Sequence, residues 1–165
     1  MAHIFISLGS NIDKAHYMRQ GIAALHNIIP NLSVSDVFES ESVGFDGSNF
    51  YNLVCGGQTS LNVDEVCQAL RQIEVDNGRV RSAKKFSSRT LDLDLLVFDD
   101  LITNQPAQLP RDEIDKNAFV LWPLAQIAPS VMHPVLKQTY HSLWHSYDKS
   151  QQSLWAVEFD WQGII

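Results

Sequence analysis

Cysteine is scarce in this 165-residue chain: there are two, Cys55 and Cys67, too few to form a disulfide framework. Cys55 falls in an apolar strand-like stretch and Cys67 on the apolar side of a helical one, so both are expected to be reduced core residues. Long apolar runs are missing as well. No stretch approaches the ~18 residues that a membrane span needs, and the first residues lack the basic-then-apolar order of a secretory signal. A soluble, cytoplasmic protein is expected. Positive charge is in deficit, with twelve Lys and Arg against nineteen Asp and Glu, a net charge of −7 and a pI of about 5.2. That balance argues against generic binding to nucleic acid or to an anionic membrane. Neither glycine-rich phosphate cradle, G-x-x-x-x-G-K-[ST] or G-x-G-x-x-G after a strand, is present. His141 and His145 stand four apart but lack the Glu of H-E-x-x-H and a third ligand, so they read as ordinary polar positions. The absence of G-x-S-x-G leaves acyl transfer without a nucleophile elbow. With no repeat, linker or low-complexity tract, one domain spanning 1–165 is expected.

What cationic charge there is falls together. Five of the twelve basic residues, Arg79, Arg81, Lys84, Lys85 and Arg89, stand within eleven positions. Directly after them, Thr90-Leu91-Asp92-Leu93-Asp94-Leu95-Leu96-Val97-Phe98 reads as a strand. Strand side chains alternate faces, so Asp92 and Asp94 share one face while Leu91, Leu93, Leu95 and Val97 share the other, apolar one. Two carboxylates so placed repel each other unless a cation or nearby arginines offset them. Carboxylates that hold Mg²⁺, beside guanidiniums that grip phosphate oxygens, are the equipment of phosphoryl-type transfer. A solvated edge strand beside a solvated basic loop has the same residues; the concentration of cations in an acidic chain favours the functional reading. Phe50 and Asn52 share a strand face, where an aromatic and an amide suit a flat heterocycle, although Phe50 alone also fits a core position. Glu74, on the helix before the cationic loop, is placed to accept from a ribose hydroxyl or to pair with Arg71 or Arg81.

Alternation over 3–8 predicts a first strand, broken by Gly9-Ser10-Asn11. Met18, Ile22, Leu25 and Ile29 at helical spacing predict a helix over 13–29, closed by Pro30-Asn31. A second strand over 32–40 leads into a two-glycine loop at 41–48, a candidate mobile flap. A third strand over 50–58 precedes a helix opened by Asn62 with Glu65 three residues on, striped by Val63, Val66, Cys67, Leu70 and Ile73, and closed by Gly78. Beyond the carboxylate strand, 101–117 reads as irregular and 119–127 as apolar, with Trp122-Pro123 opening a short helix. Trp155, Val157, Phe159 and Trp161 alternate as a late strand with one greasy face would. The order β-α-β-β-α-β predicts an α+β fold, a ferredoxin-like split βαββαβ sandwich: an antiparallel sheet with both helices on one face, plus C-terminal additions. The second face would be available for a site. A fold of this kind also serves RNA-binding domains, but the acidic charge and the lack of aromatic RNP strands do not fit that use.

These residues resemble the 6-hydroxymethyl-7,8-dihydropterin pyrophosphokinase family of folate biosynthesis. The matching stretches, in the family's order, are 6–11 (I-S-L-G-S-N), 38–44 (F-E-S-E-S-V-G), 50–52 (F-Y-N), Glu74 with 78–81 (G-R-V-R), 89–94 (R-T-L-D-L-D) and 118–124 (A-F-V-L-W-P-L). They cover nearly the whole chain up to Pro129. The resemblance implies a ferredoxin-like fold and Mg²⁺-dependent transfer of diphosphate from ATP to the pterin hydroxymethyl group, with AMP released. It implies that Asp92 and Asp94 hold two Mg²⁺ ions and that Arg79 and Arg89 contact phosphates and assist transfer. On the pterin side it implies reading of the ring by Asn52, stacking by Phe119, a pocket lined by Phe50, and closure by the Val43-Gly44 backbone. On the ATP side it implies Glu74, Arg81 and Lys85, with a backbone contact from Leu95 to adenine. Its partners are then the pterin and ATP, with no nucleic acid or membrane, and a monomer is expected.

The chain departs from the family pattern in places. Phe86 replaces a usual tryptophan, Ser87-Ser88 stand for a common Gly-Pro, and Ser42 replaces a proline, which leaves that loop less pre-set. At 109–117 (L-P-R-D-E-I-D-K-N) the family's Pro-His and a following arginine, at Asn117, are missing. Arg111 and Lys116 are the candidate substitutes for holding ATP, while three acids in the segment weaken its attraction for a polyphosphate. The alternative these departures raise is a catalytically weak paralogue that binds a pterin or nucleotide as a binding or regulatory module.

Overall fold

The computed structural model describes residues 1–41, 48–78, 90–150 and 152–165. Strands β1 (Ala2–Ser10), β2 (Ser33–Val34), β3 (Val37–Ser40), β4 (Phe50–Thr59), β5 (Asp92–Phe98) and β6 (Leu154–Val157) form one antiparallel sheet. The order across it is β5-β1-β4-β3-β6, with β2 also paired to β4. Helices α1 (Lys14–Leu25) and α2 (Val63–Asp76) connect strands on one face, as the βαββαβ reading expects. Their apolar stripes, Met18, Ile22 and Leu25 on α1 and Val66, Leu70 and Ile73 on α2, bury against Ile4, Ile6, Leu8, Leu53, Leu93 and Leu95. Such burial, about 25 cal/mol per Å² of apolar surface, is the main term holding the layers together. Asn62 and Glu65 form the expected capping box, Asn62 Oδ1 accepting from the Glu65 N–H at 2.9 Å and Glu65 Oε1 from the Asn62 N–H at 3.0 Å. Gly78, at φ +91°, follows the end of α2 in a conformation that glycine adopts without a steric penalty.

The second face is more fully used than the sequence suggested. Helices α3 (Ala118–Ile127) and α4 (Tyr140–Ser146) pack there, burying Val120, Leu121, Leu124 and Tyr140 against Phe5, Val54, Leu96 and Val97. Val97 belongs to this second core and not with Leu95, because a register shift puts Leu96 and Val97 together opposite Phe5. A bulge of this kind sends two successive side chains to one side of the strand. The predicted second strand is interrupted at 35–36, where Ser35 turns its hydroxyl to accept from the Val54 N–H at 3.0 Å. Pro123 does not open α3 but lies inside it, the helix starting five residues earlier. β6 is shorter than the predicted late strand; beyond it Phe159 packs edge-on to Tyr51 and Trp161 packs on Phe159.

Candidate active site

The register of the sheet assembles the site. Gly9 of β1 pairs with Asp92 of β5 on one side and with Asn52 of β4 on the other, and Asn52 pairs with Phe38 of β3. Directly paired residues face the same way, so Asp92, Gly9, Asn52 and Phe38 form one row across four strands. Asp94 stands in the next row, opposite Ser7. All lie on the face that carries α3, away from α1 and α2. Gly9 leaves a notch in the row: a Cβ there would sit 3.3 Å from Asn52 Oδ1 and 3.9 Å from the Phe50 ring. Asn52 is buried, and its Nδ2 donates to Ser40 Oγ at 2.8 Å, which leaves a second N–H and the carbonyl to face the notch. Phe50 is half-buried on the same face as Asn52, as its spacing predicts. Phe119 lies in the first turn of α3, half-buried against the second core.

Negative charge concentrates at the β5 end of the row. Asp94 is buried enough, and close enough to Asp92, that its carboxyl is pushed up to about 7; Glu113 and Glu74 add to the effect and Arg111 opposes it. Arg111 reaches this cluster because its backbone N–H donates to the Leu96 carbonyl at 2.9 Å, docking the irregular segment along β5. Its guanidinium lies 3.3 Å from Asp94 Oδ1 and donates through Nε to Glu113 Oε1 at 2.9 Å. Glu74 Oε2 accepts from the Leu93 N–H at 2.8 Å, tying α2 to the outer edge of β5. Leu95 points its side chain into the helix-side core, so a contact from it to a ligand runs through its backbone. Lys116 pairs with Asp112 at 3.6 Å, both largely exposed. Arg111 and Lys116 share the wall of a cavity of about 430 Å³ with Leu109, His133 and Leu136.

Asp92 and Asp94 suit a hard divalent cation. Mg²⁺ takes one or two carboxylates from a protein and completes its shell with phosphate oxygens and water, and a carboxyl whose pKa is raised by burial and by neighbouring carboxylates is relieved by a cation. The expected positions Val43, Gly44, Arg79, Arg81, Lys85 and Arg89 lie outside the described residues. Ser40, which orients Asn52, and Glu113, which holds Arg111, were not singled out from the sequence. Ser40 carried a signal: it is two residues from Phe38 on a strand, and therefore on the same face. Among the described residues no helix is long and apolar enough to cross a membrane.

Comparison with known proteins bears on this geometry. The model of the 7,8-dihydro-6-hydroxymethylpterin-pyrophosphokinase family matches residues 5–129. A 2-amino-4-hydroxy-6-hydroxymethyldihydropteridine pyrophosphokinase of Aquifex aeolicus is 31% identical over 141 residues, covering 84% of this chain and 88% of that one. A Pseudomonas aeruginosa protein of the same name is 32% identical over 136 residues, covering 79% and 83%. The folic acid synthesis protein fol1 of Schizosaccharomyces pombe is 31% identical over 168 residues, but the chain spans 22% of its length. Among solved structures, wild-type HPPK-DHPS of Plasmodium falciparum superposes with a TM-score of 0.69 at 12% identity, covering 87% of this chain and 44% of that one. At that identity the likeness speaks for the fold, and it agrees with the split βαββαβ arrangement.

Proposed function

The chain belongs to the 7,8-dihydro-6-hydroxymethylpterin-pyrophosphokinase family, and we propose that the row on its sheet face carries out that family's reaction. Diphosphate passes from ATP to the hydroxymethyl group of 6-hydroxymethyl-7,8-dihydropterin, in folate synthesis. The hydroxymethyl oxygen forms a bond to the β-phosphorus, the bond from that phosphorus to the α-phosphate oxygen breaks, AMP leaves, and the hydroxyl proton is released. The observation that carries this reading is the register that sets a carboxylate, a side-chain-free notch, an oriented amide and an aromatic in one row.

Each residue has a part. Asn52, held by Ser40, presents its remaining N–H and carbonyl to the polar edge of the pterin. Phe50 lines the notch over Gly9, Phe119 stacks on the ring, and the Val43-Gly44 backbone closes the pocket. Asp92 and Asp94 would hold two Mg²⁺ ions, a bound pair that would supply Lewis-acid polarisation of the phosphates and neutralisation of the charge that develops in transfer. Arg79, Arg81, Lys85 and Arg89 bind phosphate oxygens. Arg111, moored to Glu113, exchanges its contact with Asp94 for a phosphate when the nucleotide arrives. Lys116 adds positive charge from the same cavity wall. Glu74 fixes β5 on the nucleotide side, and Leu95 meets adenine through its backbone. The protein works as a cytoplasmic monomer.

The test is AMP release from ATP, with and without 6-hydroxymethyl-7,8-dihydropterin, across Mg²⁺ concentrations. Pterin-dependent AMP is expected, and Asp94→Ala should abolish it with the fold retained. Pterin binding without AMP at any Mg²⁺ concentration would refute the reading.

A further inference from the structure

The first turn of α3, which carries Phe119, is held from outside the helix. Asn117, the N-cap, makes no capping bond with its side chain. Pro123, inside the helix, has no N–H to give the Phe119 carbonyl four residues back, so the turn lacks one of its own bonds. Support comes from the C-terminal part of the chain. Gln152 Oε1 accepts from the Ala118 N–H at 2.7 Å, and its Nε2 donates to Asn117 Oδ1 at 3.3 Å. The Tyr147 hydroxyl donates to the Lys116 carbonyl at 2.8 Å. One turn along α3, the Trp144 indole stacks on Trp122 at 5.2 Å and 13°, and Trp122 packs at 4.6 Å on Phe38, the row neighbour of Asn52. Gln152, Tyr147 and Trp144 all lie beyond residue 129, where the family match ends.

We infer that Trp144, Tyr147 and Gln152 form a positioning clamp for the pterin pocket, in which Gln152 and Tyr147 lock the first turn of α3 and so fix the ring of Phe119. The inference rests on the reading of Phe119 as the stacking residue. Neither clamp residue touches substrate; they act through the backbone of 116–118. Without them the turn frays, and Phe119 must be ordered anew each time a pterin binds. The loss therefore falls on pterin affinity and not on the nucleotide side.

The experiment titrates pterin and a non-hydrolysable ATP analogue against Gln152→Leu, Gln152→Glu, Tyr147→Phe and Phe119→Ala, by tryptophan fluorescence, with KM and kcat measured for the turnover-competent variants. Gln152→Leu, which removes the acceptor, should raise the pterin Kd and KM about fivefold, the factor matching a lost cap of about 1 kcal/mol. Tyr147→Phe should raise them in the same direction, with the analogue Kd and kcat unchanged in both. Gln152→Glu keeps the acceptor for the Ala118 N–H at a helix N-terminus but loses the donor to Asn117, and should bind pterin more tightly than Gln152→Leu and no better than the parent. If Gln152→Leu lowers Tm but leaves the pterin Kd within twofold, while Phe119→Ala loses binding, the clamp is refuted and the role of Phe119 stands. If Phe119→Ala binds pterin unchanged, the stacking role fails and the clamp with it. Tyr147→Phe, a single lost hydroxyl, decides the matter should Gln152→Leu not fold.

Discussion

Asp94 is buried, with three other carboxylates and one guanidinium beside it among the described residues, and that burial and imbalance give the protein a pH signature. Its folded pKa, about 7, lies above the unfolded value near 3.9. The folded state therefore binds more protons than the unfolded state between those limits, and stability falls as pH rises through the window. The Tm of the ligand-free protein is expected to drop from pH 5 to pH 8, and Asp94→Asn to flatten that slope and raise the Tm at pH 8; a calorimetric pH series checks both. Among the described residues Arg111 is the local counter-charge, and it occupies a carboxylate proposed to hold a divalent ion. Arg111→Ala should tighten Mn²⁺ binding to the nucleotide-free protein several-fold, read by Mn²⁺ paramagnetic resonance, while weakening ATP binding. At this scale the sequence was informative about residue types and blind to their pairing. Asp92, Asp94 and Asn52 follow from strand alternation, a local rule. Arg111 meets Asp94 only because the chain that leaves β5 after Phe98 folds back on the strand at Arg111. Glu74, a candidate for the ribose or a neighbouring arginine, also accepts from a strand-edge N–H, a partner that side-chain pairing rules do not consider.

Elements show the same division between local and distant causes. The capping box of α2 was legible because its two partners are three residues apart, and its removal is a useful control. Asn62→Ala should cost about 1 kcal/mol, a drop of about 2–4 °C in Tm for a chain of this size, with the pterin Kd unchanged. α3 was misplaced because proline favours the first turn of a helix. Here Pro123 is tolerated within it, since Leu121 and Val120 still bond to Asn117 and Gln152 takes the Ala118 N–H. That compensation comes from 34 residues away and leaves no trace in the local pattern. The bulge in β5 escaped for a related reason: Leu95-Leu96-Val97 is apolar throughout, so alternation cannot say which residue is the extra one.

Across the whole molecule, the βαββαβ order was readable from periodicities of two and 3.6, but the docking of the chain beyond β5 was not. The greasy alternation of Trp155, Val157, Phe159 and Trp161 announced a face to be covered; that it would extend the sheet beside β3 depends on which edge the chain reaches last. The two cores lie on either side of one sheet, so the row holding the site is backed by packed side chains and framed by α3. This rigidity bears on what the site will accept. From Asp92 to Asn52 the row crosses two strand spacings, about 10 Å between α-carbons, and hydrogen-bonded backbone, not adjustable side chains, sets the interval. On the roles proposed for Asn52 and Asp92, the sheet is therefore a length gauge: a substrate engages both ends only when its ring edge and its reactive hydroxyl are the right span apart. A homologue with one more methylene before the hydroxyl would then fit the amide and overshoot the carboxylate end, and no single side-chain exchange could recalibrate it.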